Sequence, residues 1–265
     1  MTAKLKHIAL VSDNYALQGK FYEAAFGMRT AADPRPERAV TVGDGYVGLN
    51  INPRKPGRPA GLDHFGLEVD EVAPILERLK KHGVDVVQRP STRPFAGIST
   101  HDPAGNIFDL SQRNMENRTS VYVEEEKPAA RRISHIALRT LQAAQLVDFY
   151  ADIGLQPVKG NHGNFHLTDG RVTLVLMPWR ISDYAGTGIA RPGPDHIGFE
   201  VESLEAFKQR LQELGDNNPH LRARQLAGSE GDARMKLFAA SCSLGEYRIA
   251  DVDGVLLDVA ETNSR

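Results

Sequence analysis

Apolar positions along this chain follow two rhythms, and both recur. In one rhythm the spacing is three and four: Val72, Ile75, Leu76 and Leu79 fall on one helical stripe, as do Leu204, Phe207, Leu211 and Leu214. Gly83 and Gly215 follow these stripes, where a left-handed cap is expected to end a helix. Two further amphipathic stretches end alike, one with Phe21-Tyr22 then Gly27-Met28, the other with Phe149-Tyr150 then Gly154-Leu155. In the second rhythm short alternating or apolar runs, residues 38–42, 45–52, 165–168 and 171–177, are separated by Gly, Asp and Pro. They are expected to be strands of antiparallel meanders.

Superposed on these rhythms is an internal repeat. Lys6-His7-Ile8-Ala9-Leu10 returns as Ser134-His135-Ile136-Ala137-Leu138, each ahead of a Phe-Tyr stretch. Leu62-Asp63-His64-Phe65-Gly66-Leu67-Glu68-Val69 returns as Pro194-Asp195-His196-Ile197-Gly198-Phe199-Glu200-Val201, each ahead of a striped helix. A tight turn into a strand, Asp102-Pro103-Ala104-Gly105-Asn106-Ile107-Phe108-Asp109, has its counterpart in Asp251-Val252-Asp253-Gly254-Val255-Leu256-Leu257-Asp258. The unit is strand, helix and about three strands, four times over. This predicts an α+β fold with four βαβββ modules paired into two half-barrel domains, residues 1–115 and 131–265. Residues 116–130, with Glu124-Glu125-Glu126-Lys127-Pro128, have a linker composition, and Val121-Tyr122-Val123 is a candidate edge strand.

Composition narrows the partners. With 265 residues, 41% of them hydrophobic, the chain can build one large or two medium cores. A formal net charge of −2 gives no electrostatic reason to expect nucleic acid or an acidic membrane as partner. No run approaches the roughly 20 apolar residues of a membrane span, and residues 1–10 lack a signal-peptide core. A cytoplasmic protein acting on a small molecule is expected, with homo-oligomerisation left open. The one cysteine, Cys242, has no second thiol for an intrachain disulfide or a multi-cysteine zinc site.

The four histidine strands and the two Gly-containing turns before Asp109 and Asp258 resemble those of the glyoxalase, bleomycin-resistance and extradiol-dioxygenase group, the vicinal oxygen chelate superfamily. The resemblance covers nearly the whole chain except the linker and tail. It implies paired modules forming a cupped sheet, with metal ligands projecting from first and last strands. Two candidate ligand sets follow: His7, His64 and Asp109, and His135, His196 and Asp258. The family usually has Glu where Asp109 and Asp258 stand, and the shorter side chain would draw an ion toward that strand or bind it through water. In two-domain dioxygenases the family pattern puts iron in the C-terminal half, which favours His135, His196 and Asp258.

Two imidazoles and one carboxylate on one face leave coordination positions open. That set suits Fe(II), with Mn, Zn and Ni also compatible. The alternative is four core-facing histidines with satisfied hydrogen bonds. A glyoxalase-type fourth ligand is expected in residues 49–52 or 174–177, where only Asn50 and Asn52 are polar enough to contribute. The leading reading is therefore an Fe(II) ring-cleaving dioxygenase for a catechol-like aromatic. The others are a glyoxalase-type isomerase or lyase and a metal-free small-molecule binding protein. Tyr247 is the candidate substrate contact, although its spacing to Asp258 is one residue too long for a shared face unless a bulge intervenes. His166, in a strand-like run, is the candidate acid–base group, with His162 in a Gly-rich turn as a second. Trp179 and Tyr184 are expected at the mouth of the site. Arg222, Arg224, Arg234 and Lys236 form a basic stretch that either holds an anionic group or is a solvated loop. His82, His101 and His220 are expected at the surface or at helix ends.

Overall fold

The central strand of each half, Ala3–Ser12 and Arg132–Thr140, is buried at nearly every position, so both of its faces are covered. A computed structural model describes residues 2–31, 39–88, 97–113, 129–189, 191–242 and 244–262. Module 1 comprises β1 (Ala3–Ser12), α1 (Tyr15–Phe26), β2 (Arg29–Thr30), β3 (Val40–Gly43) and β4 (Gly48–Pro53). Module 2 comprises β5 (Gly61–Val69), α2 (Val72–Lys81), β6 (Val86–Gln88), β7 (Ile98–His101) and β8 (Ile107–Gln112). They form one sheet in the order β2-β3-β4-β1-β5-β8-β7-β6, joined by the antiparallel β1–β5 pair.

The second half repeats this plan. Module 3 has β9 (Arg132–Thr140), α3 (Gln145–Ile153), β10 (Gln156–Val158), β11 (Phe165–Thr168), β12 (Thr173–Pro178) and a short α4 (Ile181–Tyr184). Module 4 has β13 (Gly193–Val201), α5 (Leu204–Asn217), a 3₁₀ turn (Pro219–Leu221), α6 (Gly228–Ser241), β14 (Tyr247–Ala250) and β15 (Leu256–Glu261). Its sheet runs β10-β11-β12-β9-β13-β15-β14.

Module 4 departs from the expected three strands. Where module 2 has β6, module 4 keeps a single bridge between Arg224 and Ala250, and the 14-residue helix α6 follows. Nor does Gly215 cap α5: the helix runs through it to Asn217, with Gly215 buried against the Arg222 side chain. The candidate strand at residues 121–123 lies outside the described residues.

One face of each sheet packs on the helices. Leu5, Ile8 and Leu10 of β1, and Ile133, Ile136 and Leu138 of β9, are buried in a core that also holds Phe21, Phe26, Phe149 and Phe207. Leu5 and Ile8 share this face despite an odd spacing because the β1–β5 register shifts between Leu5 and His7. The core is continuous between the halves. Phe26 of α1 stacks on Phe199 of β13, with ring centroids 3.9 Å apart, and Phe108 of β8 meets Phe149 of α3 at 6.0 Å.

The repeat also builds reciprocal polar ties across the halves. Tyr22 donates to Asp251 Oδ2 (2.8 Å), and its counterpart Tyr150 donates to Asp102 Oδ2 (2.9 Å). Gln18 Nε2 joins Tyr22 on Asp251 at 2.6 Å. Burial pushes the Asp251 carboxyl up, even though its hydrogen bonds from Gln18, Val255 N, Tyr22 and Asp253 N favour the charged form. An acid raised in the folded state contributes stability that is complete below its unfolded pKa and is lost as pH rises through the folded value. Asp251→Asn never acquires this charge. The melting temperature of wild type relative to that variant is therefore expected to rise on moving from about pH 7.5 to about pH 4.5. Paired thermal melts at the two pH values check this.

Candidate metal centres

On the face away from the helices, each sheet gathers the residues of the repeat. In the first half His7 of β1 pairs with Gly66 of β5, and Gly66 pairs in turn with Asp109 of β8. In the second half the same row runs His135, Gly198, Asp258. The middle glycine is a requirement of space. A Cβ on Gly66 would lie 2.0 Å from His7 Cε1, and one on Gly198 would lie 1.8 Å from His135 Nδ1. Each imidazole therefore lies across a glycine toward the carboxylate.

The second histidine stands two residues before that glycine, on the same side of the strand. In each half the register shifts beside it, with Asp63 and Asp195 as the extra residues. Successive strand residues normally point to opposite faces, but this bulge lets each Asp bond its neighbour's ring. His64 Nδ1 lies 2.8 Å from Asp63 Oδ2, and His196 Nδ1 lies 2.8 Å from Asp195 Oδ2. Such carboxylate partners fix the tautomer and direct Nε2 inward. Both Asp and both Gly positions are visible in the Asp-His-x-Gly repeat, but their roles depend on the pairing.

The first-half group closes tightly. His64 Nε2 is 3.2 Å and His7 Nε2 is 3.7 Å from Asp109 Oδ2. The His64 side chain is 13% exposed, and Asp63 is 30% exposed beside Arg58. Burial opposes protonation of His64, but hydrogen bonds to Asp109 and Asp63 prevail and raise it to about 9.

The second-half group is larger and more enclosed. His135 Nε2 is 3.5 Å from Asp258 Oδ2, and Cys242 Sγ is 3.2 Å from His196 Nε2. Burial opposes protonation of His196, while Cys242 and Asp195 raise it to about 10. Asp195 is held low despite burial by His196, Arg139 and Arg234. Asp258 Oδ2 accepts from Gly245 N at 2.8 Å.

In each group one donor atom from every residue lies within 4.8 Å of the others. An ion with bonds of about 2.0–2.2 Å holds neighbouring donors roughly 3–3.5 Å apart. The imidazole, carboxylate and thiol donors thus fit a divalent ion in chemistry and, with small adjustments, in spacing.

Several expected site residues lie elsewhere. Tyr247 pairs with Val259 without a bulge and packs on the helix-side core, with Lys208 Nζ 4.9 Å from its ring centroid. Its neighbour Arg248 faces the site instead, with Nε 3.6 Å from Asp258 Oδ1, so strand parity removes Tyr247 from the chemistry. His166 is buried and shares the site face, but in the row His166, Val175, Ala137, His196 it is three strands from His196. That is roughly 14 Å, too far to act on the same atoms. His162 is exposed in its turn, with φ 51. Asn50 faces the site from β4, where its Oδ1 accepts from Thr41 Oγ1, while Asn52 donates to the Leu10 carbonyl. Trp179 donates to the Ile189 carbonyl, and Tyr184 is exposed on α4.

The basic stretch divides. Arg222 is bound to Asp216 at the surface, Lys236 is exposed, and Arg224 forms the bridge to Ala250. Arg234 on α6 reaches Asp195 at 2.9 Å. His82 meets Asp152 near the surface, and His220 lies in the 3₁₀ turn. His101, by contrast, stands on β7 on the same side as Ser99, which pairs with Asp109. Cys242 carried no signal in the sequence beyond being single, because nothing local places it near His196.

Among the described residues no helix is long and apolar enough to cross a membrane. No curated protein sequence matches the chain. The fold is similar to solved structures at low identity. Homoprotocatechuate 2,3-dioxygenase from Arthrobacter globiformis gives a TM-score of 0.65 at 13% identity, covering 98% of this chain and 79% of that one. The 2,3-dioxygenase LapB from Pseudomonas sp. KL28 gives 0.63 at 15%, covering 98% and 93%. A Mn(II)-bound glyoxalase from Novosphingobium aromaticivorans gives 0.62 at 15%, covering 97% and 81%. The matching family model falls on residues 4–110 and again on residues 132–259, the two segments that each carry one histidine and carboxylate group. With both halves so matched, the chain belongs to the glyoxalase/bleomycin resistance protein/dioxygenase superfamily.

Proposed function

We propose that the protein is a metal-dependent, extradiol-type ring-cleaving dioxygenase for a catechol-like small aromatic, with its reaction centre in the N-terminal half. The observation that carries this reading is the first-half set of two histidines and one carboxylate, in which the His64 side chain reaches the surface. This moves the centre away from the C-terminal half that the family pattern favours, because His135, His196 and Asp258 are sealed from solvent.

His7, His64 and Asp109 would hold the ion, with Fe(II) favoured by a facial two-histidine, one-carboxylate set. When bound, such an ion supplies Lewis acidity and redox chemistry toward dioxygen. The chain supplies the orientation. Asp63 anchors His64 through Nδ1, Gly66 leaves room for the His7 ring, and Asp109 completes the set from β8. The proton shared by His64 and Asp109 is what an ion would displace.

Isomerase chemistry is less well supported. The β4 position on the site face is Asn50, a carboxamide that cannot serve as the carboxylate base or ligand of that reaction class. A metal-free binding role is less well supported because the donors converge on one point. The test is oxygen consumption by protein loaded anaerobically with Fe(II) and offered a panel of catechols. Uptake that requires both iron and catechol supports the reading. Tight catechol binding without iron and without oxygen uptake overturns it.

A further inference from the structure

The C-terminal group differs from its repeat by a helix and a thiol. No counterpart of α6 exists in module 2 among the described residues, which follow α2 with β6. Helix α6 lies over the site face. Phe238 packs with Ala137, Val175 and Met177, and its ring centroid is 4.4 Å from that of His196. Arg234 reaches Asp195, Arg139 Nη2 lies 3.3 Å from Ser241 Oγ, and Asn164 Nδ2 donates to the Ser241 carbonyl. Arg248 also lies over Phe238, with Cζ 5.2 Å from the ring centroid. These contacts fix the end of the helix, and the next residue, Cys242, brings Sγ to 3.2 Å from His196 Nε2.

We propose that His135, His196, Cys242 and Asp258 form a closed, four-ligand site for a thiophilic divalent ion, zinc foremost, with a structural role. The proposal does not depend on the chemistry assigned to the first half. A four-coordinate zinc ion with one sulfur, two nitrogens and one oxygen, at bonds of about 2.0–2.3 Å, sets its donors roughly 3.3–3.8 Å apart. The observed His135–Asp258 and His196–Cys242 separations are 3.5 and 3.2 Å. Three protein ligands would leave a position for substrate; the thiol closes it. His135, His196, Cys242 and Asp258 are all buried, so no substrate reaches the ion without lifting α6.

The outer shell is also built for permanence. Asp195, which orients His196, is itself held by Arg139 Nε at 2.8 Å and by Arg234, whereas Asp63 in the other half is partly exposed. The contacts Cys242, His196, Asp195 also resemble an activated-thiol triad. With the sulfur and both ring nitrogens sealed, no electrophile has an approach, and His135 and Asp258 converge on the same point.

Cobalt loading of the full chain tests this. His64→Ala is used alongside wild type so that the second-half site is seen alone. Both proteins are expected to show a thiolate-to-cobalt charge-transfer band and the intense visible bands of a four-coordinate ion. Zinc is expected to displace cobalt and raise the melting temperature by several degrees. Cys242→Ser should lose the charge-transfer band and most of the zinc-dependent stabilisation. If that variant fails to fold, the wild-type spectrum still decides. Cobalt bound without a thiolate band overturns the proposal, as does zinc stabilisation unchanged in Cys242→Ser. Rapid alkylation of Cys242 in the native, zinc-treated protein also overturns it.

Discussion

His64→Ala is expected to abolish iron retention and oxygen uptake together, while His196→Ala leaves oxygen uptake in place. His64 carries the most exposed donor of the first-half group, bonded to Asp63 on one ring nitrogen and facing Asp109 with the other. Without it, His7 and Asp109 remain, and two donors do not hold a labile Fe(II) ion. Loss of an outer partner alone typically costs 10–100-fold, so loss of a ligand should reduce turnover below roughly one-hundredth of wild type. His196→Ala should act on the enclosed site, where it removes the partner of Cys242 and Asp195. Its signature should be a lower melting temperature and not a lost reaction. Iron content and oxygen uptake measured on both variants distinguish the two halves. Activity that survives in His64→Ala and disappears in His196→Ala would return the reaction centre to His135, His196 and Asp258.

The second large effect is expected from a single methyl group. Gly66→Ala places a Cβ where the His7 ring now lies, 2.0 Å from Cε1 and 2.2 Å from Nδ1. Neither backbone can yield easily, because Gly66 is paired on both sides, with His7 and with Asp109. The ring must leave its place. Overpacking of this kind costs about 1–3 kcal/mol of stability. The larger consequence is for metal binding, since the displaced imidazole is one of three donors. Iron affinity should fall at least as far as in an outer-shell variant, roughly 10–100-fold. Gly198→Ala should do the same to the cobalt–thiolate spectrum through His135, with oxygen uptake preserved. Titration of Fe(II) into both variants, with thermal melts alongside, checks the pair. A Gly66→Ala protein with wild-type iron affinity would show that His7 is not a ligand.

Much of the fold is legible in one dimension because the module is written four times. The strand and helix rhythms place α2 and α5 to within a few residues, and the repeated histidines fall on the first strand of each module. The misreadings have specific causes. Gly215 reads as a helix end, but it is buried, the Arg222 side chain packs on it, and α5 continues to Asn217. The third strand of module 4 fails because its place is reduced to one bridge, with α6 following.

What the sequence determined by itself is the module plan, the family, and the matched sets His7, His64, Asp109 and His135, His196, Asp258. The module plan follows from local rules, alternation on a strand, stripes on a helix and motifs that repeat in phase, while the family and the two sets come through the resemblance that those motifs carry. Only the tertiary structure decided which way Tyr247 faces, since that depends on whether a bulge separates it from Asp258. Only the tertiary structure joined Tyr22 to Asp251 and Tyr150 to Asp102 across the halves. It alone, too, folded α6 over the second site and set Cys242 beside His196, 46 positions away in the chain. Contacts at such separations are set by how whole elements pack, and no spacing within the chain records them.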